Sequence, residues 1–485
     1  MIDSRIVETH ISVLFFVGDR VYKLKKPVRF DFIDLSTREA RERICHREVE
    51  LNRRLSPDVY LGVLDVVDGD GTKIDHIVEM RRMPEERKLS ALVASGRDVR
   101  ECLRSLAREI AAFHAAAATS EDIDSAGRWT SVRRAWNQNL AEMERFAGPI
   151  VNREALERAD EMAHRYLDGR RPLFEHRVAQ RCIRDGHGDL LSDDIFCMDD
   201  GPRVLDCIEF DDRLRYGDVL ADVAFLAMDL QRLGAAPEAR YFLDLYREFS
   251  GETYPQSLVH HYIAGRALVR SKVACLSYEQ GNEAKDIEAS TLLEMAVQHL
   301  DEARIRLVLV GGLPGTGKST LAAGLSDATG WALLRSDEVR KDLAGMGHAE
   351  RAAAEFRRGV YSNEMTERTY DALLQRTRAL LQHGESVIVD ASWLRTEHRE
   401  KGGELAREIS TDLYQLRCVL DADEAAQRIR ARTRDVSDAD ERIAAIMAAR
   451  ADPWADATEI ETDSSPKECV KRALAATSLS LSAAR

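Results

Sequence analysis

Apolar and polar residues alternate from about residue 9 to residue 28, in a stretch rich in Val, Phe and Tyr. Ile11-Ser12-Val13-Leu14-Phe15-Phe16 runs through Gly18-Asp19 into Val21-Tyr22-Lys23-Leu24-Lys25-Lys26-Pro27. That pattern predicts two antiparallel strands around a tight turn. Pro27 ends the second, because proline cannot donate to a ladder. A helix is expected over 36–55, with Ser36 or Thr37 as its cap and Glu39 in its first turn. Two more strands, 61–67 and 74–80, flank the turn Asp68-Gly69-Asp70-Gly71. After Met83-Pro84 the period becomes helical, with helices expected over 89–94, 99–118, 129–146 and 153–168. A strand over 204–210 follows. From about residue 304 the pattern changes again. Short continuous apolar runs, Leu307-Val308-Leu309-Val310, Val387-Ile388-Val389 and Leu416 to Leu420, alternate with helical stretches. Shorter strands are expected at 331–334 and around Ile460, with a closing helix over 466–476. This half reads as a doubly wound α/β domain whose strands are buried on both faces.

At 485 residues the chain exceeds one ordinary core. The patterns divide it into a small-lobe segment of about 1–83, a helical lobe of about 84–300, and the α/β domain of 301–485. With 44% hydrophobic and 32% charged residues, the composition is that of a soluble globular protein. No apolar run approaches the roughly 20 residues of a membrane helix, and no leader pattern is visible, so a cytoplasmic protein is expected. The eight cysteines show no C-x-x-C and no zinc spacing, and most are expected to be small core residues in a reducing compartment. The net charge of −14 argues against a nucleic-acid partner.

The sharpest chemical signal is Gly312-Leu313-Pro314-Gly315-Thr316-Gly317-Lys318-Ser319-Thr320. It lies between a predicted strand and a predicted helix, the context in which G-x-x-x-x-G-K-[ST] binds phosphate. The glycines let backbone N–H groups curl around phosphate oxygens, and the helix N-terminus adds its positive dipole end. Lys318 is expected to reach the β- and γ-phosphates of ATP, and Ser319 to hold magnesium. Asp390, at the end of a predicted strand, reads as a second magnesium residue.

The first half carries Arg184-Asp185-Gly186-His187-Gly188-Asp189, then Asp194, then Asp206-Cys207-Ile208-Glu209-Phe210, then Gly217-Asp218 and Asp222-Val223-Ala224-Phe225. This order resembles the aminoglycoside-phosphotransferase-like kinases, distant relatives of protein kinases, over roughly residues 6–300. Taken with the phosphate loop, the whole chain resembles bacterial two-domain proteins that fuse such a kinase domain to a P-loop kinase-like ATPase domain. The resemblance implies a protein-kinase-like α+β fold for the first domain. It makes Asp189 the residue that accepts a substrate hydroxyl proton, and His187 a buttress of its loop. Asp194 stands where the family has a metal-binding Asn. Glu209 is the first choice for the second metal residue and Asp206 its competitor. Asp222 is expected to cap a helix and hold the loop from behind. The strand lysine over the phosphates is Lys25, or second Lys23, paired with Glu48 or Glu50. Met80 to Met83 form the hinge under adenine.

In the second half, Ser336-Asp337-Glu338-Val339-Arg340 resembles an S-D-x-x-R arrangement of P-loop kinases. There Asp337 would be a base and Arg340 an anion clamp, although a helix cap accounts for the same residues. Arg428 and Arg432, one turn apart, are expected on a lid over the triphosphate or on a solvated basic face. The expected activity is ATP-dependent, magnesium-assisted phosphoryl transfer to a hydroxyl of a small molecule such as a sugar, amino sugar or aminoglycoside. Asp211, Asp212 and Asp218 would suit a cationic acceptor if they are not simply solvated. Two alternatives stand beside this: a non-catalytic first domain that senses a metabolite for the second, and a polynucleotide 5′-kinase in the second.

Overall fold

The structure, a computed structural model, describes residues 4–9, 11–30, 33–346, 362–430 and 441–477. It divides into two compact units. The first comprises Met1–Glu161, Phe174–Tyr254 and Val259–Asp301; the second comprises Met162–Leu173, Pro255–Leu258 and Glu302–Arg485. Within the second unit, Arg170 donates to the Ile409 carbonyl at 2.5 Å and Ser257 donates to the Gly384 carbonyl at 2.7 Å. Those bonds are among the contacts that tie two short pieces of the earlier chain to the α/β unit.

The first unit opens with a five-stranded antiparallel sheet in the spatial order Ser4–Glu8, Ser12–Val17, Arg20–Lys25, Lys73–Arg81, Tyr60–Val67. The predicted hairpin is present in the register Ser12↔Lys25 to Val17↔Arg20. The edge strand Ser4–Glu8 was not expected. It is short, and its Ile6 is two-thirds exposed, so it carries little of the alternation that betrays a half-buried strand. The helix Arg38–Asn52 follows, capped by Thr37, whose hydroxyl accepts from the Ala40 amide at 3.2 Å. Val21, Val49, Val78, Met80, Met83, Phe196 and Leu205 form the core under this sheet.

The rest of the unit is mainly helical, with two short two-stranded sheets. Helices Leu89–Ala94, Arg100–Ala116, Trp129–Met143 and Arg153–Gly169 match expectation within a few residues, and Glu121–Gly127 and Arg171–Ala179 add to them. The expected strand at 204–210 is corrected. The strand is Gly201–Val204, paired with Ile195–Met198. It stops because Asp206 takes a left-handed backbone (φ 63°) that no ladder accommodates. Six cysteines are buried free thiols, as expected, but Cys102 and Cys197 are joined as a disulfide.

The second unit is a five-stranded parallel sheet in the order Ala332–Arg335, Val387–Asp390, Arg306–Gly311, Asp412–Val419, Thr458–Glu461. The chain starts at the central strand, moves to one side and returns to the other, so the sheet is doubly wound and its reversal lies at the strand before the phosphate loop. Among the described residues, no helix is long and apolar enough to cross a membrane.

Candidate functional sites

Lys23 and Lys25 stand two residues apart on one strand, so both side chains leave the same face of the sheet. Lys25 is wholly buried, 2.7 Å from Glu48 Oε2 and 2.6 Å from Glu209 Oε1. Lys23 lies 2.7 Å from the other oxygen of Glu48 and 2.7 Å from Asp206 Oδ1. The result is an alternating chain of charges, Asp206–Lys23–Glu48–Lys25–Glu209. It runs from an exposed end (Asp206 side chain 51% exposed) to a buried one (Glu209 6%). Burial would discharge Lys23, but Asp206 and Glu48 more than compensate and hold its pKa well above the usual lysine value. Glu50 points away and pairs with Arg47, so Glu48 is the helix partner. Both lysines pair with Glu48, as expected of Lys25; Lys23 meets the open end of the network, and Lys25 is sealed beneath it. Met80 also needs correction as a backbone contact point. Its backbone sits in the sheet between Val21 and Tyr60, and its side chain is core.

The loop that carries Asp189 follows the strand Ile183–Asp185. Gly188 has φ 88°, and a Cβ there would come within 3.0 Å of the Leu214 carbonyl, so glycine is required. Asp222 binds the loop by accepting from the amides of His187 (2.8 Å) and Gly188 (2.9 Å), while His114 Nε2 lies at 3.1 Å. Burial alone would raise the Asp222 carboxyl; the histidine and amide bonds instead hold it well below the usual carboxylate range. The helix Val219–Arg232 is capped not by Asp222 but by Asp218, which accepts from the Leu220 amide and from Nε and Nη2 of Arg177. His187 is buried and bonds the Leu205 carbonyl through Nε2 at 3.1 Å, in keeping with a structural role.

Asp222→Ala is expected to cost about 3–5 kcal/mol, because it strands a buried histidine and two amides. A carboxyl whose folded pKa is depressed contributes fully above its unfolded value of about 4 and loses that contribution as pH falls through the acid range. Urea unfolding of wild type and Asp222→Ala should therefore differ most near pH 7 and converge below about pH 4.

Asp189 is half-buried, and among the described residues its carboxylate makes no hydrogen bond or ion pair. Burial, with Asp206 adding to it, pushes its pKa up to about 6 against the pull of Arg270 and Arg266. Asp194 is likewise without a side-chain partner, and burial, Asp206 and Asp189 raise its pKa well above the carboxylate range. Asp206 therefore lies close enough to act on both Asp194 and Asp189, whereas Glu209 is turned to Lys25. The crowding of carboxylates is the donor set a divalent cation would relieve. Neighbours with no sequence motif hold Asp206 in its left-handed turn. Tyr60 Oη accepts from the Asp206 amide at 3.1 Å, Asn52 Oδ1 from the Cys207 amide at 2.9 Å, and Ser56 Oγ from the Val204 amide at 2.9 Å. The acidic trio is not free for a cationic acceptor. Asp211 pairs with Arg213, Asp212 with Arg47 and Arg215, and Asp218 with Arg177.

In the second unit, Gly312 to Gly317 curl between the central strand and the helix Lys318–Thr329. Gly315 has φ 87°, and a Cβ there would meet the Ala425 carbonyl at 2.5 Å. The Thr316 hydroxyl donates to the Leu313 carbonyl, and the Thr316 carbonyl accepts from Thr462 Oγ1, which fixes the loop internally. Val310 is in register with Asp390, so that aspartate sits at the loop's flank. Burial raises its carboxyl, Lys318 and a bond from Ser319 oppose this, and its Oδ1 is buried with no partner. An orphaned buried oxygen beside a serine hydroxyl fits a cation site.

Asp337 lies close enough to influence Asp390 and is bonded by Arg340 at 2.5 Å. The helix Ser336–Leu343 starts with no side-chain cap bond, so a capping role does not account for Ser336 or Asp337. Arg428 donates to the Thr462 carbonyl at 2.9 Å and to Glu424 at 2.7 Å, and its guanidinium reaches over Gly317. Arg432 lies outside the described residues. Sequence reasoning missed Tyr370, whose ring stacks on His398 at 3.8 Å and whose hydroxyl accepts from the Trp393 amide at 3.0 Å. Asp337 and Arg340 both act on its hydroxyl electrostatically, so this buried ring lies near them.

Residues 19–257 match the family described as the phosphotransferase enzyme family, and residues 307–454 match an AAA domain. The uncharacterized protein Rv2004c of Mycobacterium tuberculosis is 41% identical over 461 residues, covering 95% of this chain and 92% of that protein. Among solved structures, a choline/ethanolamine kinase family protein from Mesorhizobium loti is 14% identical, with a TM-score of 0.39, over 62% of this chain and 92% of that one. The APS kinase CysC of Mycobacterium tuberculosis, in complex with AMPPNP and APS, is 18% identical, with a TM-score of 0.28, over 36% of this chain and 98% of that one. The chain belongs to the family of the mycobacterial protein, a fusion of an aminoglycoside-phosphotransferase-like domain to a P-loop kinase-like domain, and it is an enzyme of the kinase class.

Proposed function

We propose that the first site transfers the γ-phosphoryl group of ATP to a hydroxyl of a small molecule. The hydroxyl oxygen bonds to phosphorus as the bond to the β–γ bridging oxygen breaks. The proton passes to Asp189, and ADP leaves. The observation that carries this reading is the Asp189 carboxylate itself: unbonded, half-buried, and held on a loop that Asp222 fixes from behind. Lys23 steadies the phosphates from the exposed end of its network, and Lys25 and Glu48 hold it there. In the second site the backbone of residues 312–317 and Lys318 cradle a second triphosphate, Arg428 approaches it from above, and Asp337 and Arg340 face the acceptor. Magnesium, when bound, neutralises phosphate charge; Asp194 and Asp206 would hold it in the first site, Ser319 and Asp390 in the second.

The two lysines provide a test. Lys23→Met should lower first-site transfer on the order of 10²-fold or more with only a modest fall in unfolding temperature, because Glu48 keeps Lys25 and the Asp206 side chain is half exposed. Lys25→Met should instead lower the unfolding temperature sharply, because it leaves Glu209 buried without a cation and Glu48 with Lys23 alone. Steady-state transfer and thermal unfolding of both variants would decide it, and the opposite pairing of effects would return the phosphate role to Lys25.

A further inference from the structure

From Val259 on, the helix Gln256–Glu279 belongs to the first unit, where it meets the helix Val219–Arg232. Tyr262 Oη donates to Asp218 Oδ2 at 3.1 Å, and one turn later Arg266 Nε donates to the Ala221 carbonyl at 3.0 Å. The Arg266 guanidinium also covers the Phe225 ring at 4.8 Å. Arg270 is the next residue on that face, again one turn on. It is half-buried, and among the described residues it makes no hydrogen bond and no ion pair. The Arg266 backbone-directed bond is likewise its only polar contact among them.

Two guanidinium groups placed here need an anion, since withdrawing such a charge from water without a partner is costly. The nearby carboxylates are committed elsewhere. Asp222 holds His114 and the loop amides, Asp218 holds Arg177, and Asp229 accepts from the Ser192 amide, the Ser192 hydroxyl and Arg232. Asp189 is left, and both arginines act on it electrostatically, yet neither reaches it within ion-pair distance. A proton-accepting carboxylate with guanidinium groups near it, on the helix packed against its loop's anchor, suits a molecule with a hydroxyl and an anionic group.

We propose that the first site's acceptor carries a carboxylate or phosphate near the hydroxyl that is phosphorylated, and that Arg270, with Arg266 beneath it, binds that group. This deepens the reading of the first site given above and rests on it. It also replaces the cationic acceptor that Asp211, Asp212 and Asp218 suggested, because those three are paired with arginines.

The full chain carrying Lys318→Ala, so that only the first site turns over, would be assayed with magnesium–ATP and a panel of acceptors. Glycerate supplies a carboxylate, glucose 6-phosphate a phosphate, glucose no charge, and glucosamine and kanamycin positive charge. One of the two anionic arms should show kcat/KM about tenfold or more above the neutral and cationic arms, and which arm it is identifies the anion. Arg270→Gln should raise KM for that acceptor about tenfold or more while KM for ATP stays the same, and Arg270→Lys should recover part of the loss. Preferred turnover of glucosamine or kanamycin would overturn the inference and leave the transferase reading standing. A rise in KM for ATP in Arg270→Gln would also overturn it, assigning the arginine to the nucleotide. Absence of transfer to every acceptor would overturn both readings together.

Discussion

Lys318→Ala is expected to reduce ATP turnover at the second site on the order of 10²–10³-fold without lowering the unfolding temperature of the chain. Lys318 opens the helix Lys318–Thr329, and among the described residues its ammonium makes no hydrogen bond and no ion pair. Its electrostatic neighbour is Asp390, whose carboxyl it draws down against the effect of burial. Alanine therefore removes a charge aimed at the ligand and no hydrogen bond or ion pair that the fold uses, and it is a good helix former at this half-buried first helical position. The curled backbone of Gly315 and Thr316 is held by Thr462 and by close packing against Ala425, so the cradle survives the substitution. The measurement is ATP consumption in the full chain carrying Asp189→Asn, so that the first site is silent, alongside a thermal melt. Unchanged consumption would remove triphosphate chemistry from this loop. A lowered melt would show that Lys318 supports the fold and would leave the kinetic loss without a chemical meaning.

The phosphate loop could be read from sequence because everything it needs is local. Strand, glycine spacing, lysine and helix are contiguous, and Asp390 follows from the rule that functional residues sit at the carboxyl ends of parallel strands. The first site was legible in outline for the same reason, since residues 187–194 form one loop. Its finer assignments depended on three-dimensional facts. Strand alternation puts Lys23 and Lys25 on one face but does not say which lies toward solvent; Glu48 and Glu209 close over Lys25 and decide it. Spacing to Asp218 favoured Glu209 over Asp206, but the segment between them contains an irregular turn and a short 3-10 helix, Asp212–Leu214, so residue counting does not give position there. The contributions of Tyr60, Asn52 and Ser56 to holding Asp206, and of Tyr370 to the second site, left no trace in the sequence, because each comes from an element distant in the chain. The charge of Asp211, Asp212 and Asp218 was visible, but their arginine partners were not. Net charge says little about an acceptor when these three acidic groups are already paired.

Asp189→Asn is expected to lower phosphoryl transfer at the first site about 10²–10⁴-fold and to raise the chain's stability at neutral pH. The two effects share one cause. The carboxylate accepts no hydrogen bond from the protein, so the isosteric amide breaks none, and the fold has no structural need of the charge. Burial and the neighbouring Asp206 push its pKa up to about 6, so folding is opposed by the work of ionising it there. For an acid whose folded pKa is raised, that penalty is absent below the unfolded value of about 4, grows between the two values and is complete above about 6. The variant's advantage in urea should therefore be largest at pH 7–8 and vanish near pH 4. Transfer by the wild type should climb through the same interval as Asp189 becomes able to take a proton, and the residual rate of the Asn variant should lack that step. The assay uses the Lys318→Ala chain and whichever acceptor it accepts, with transfer and unfolding followed from pH 4 to pH 8. A variant that kept its transfer rate, or one that lost transfer and stability together, would show that Asp189 belongs to the scaffold of the loop and that the proton goes elsewhere.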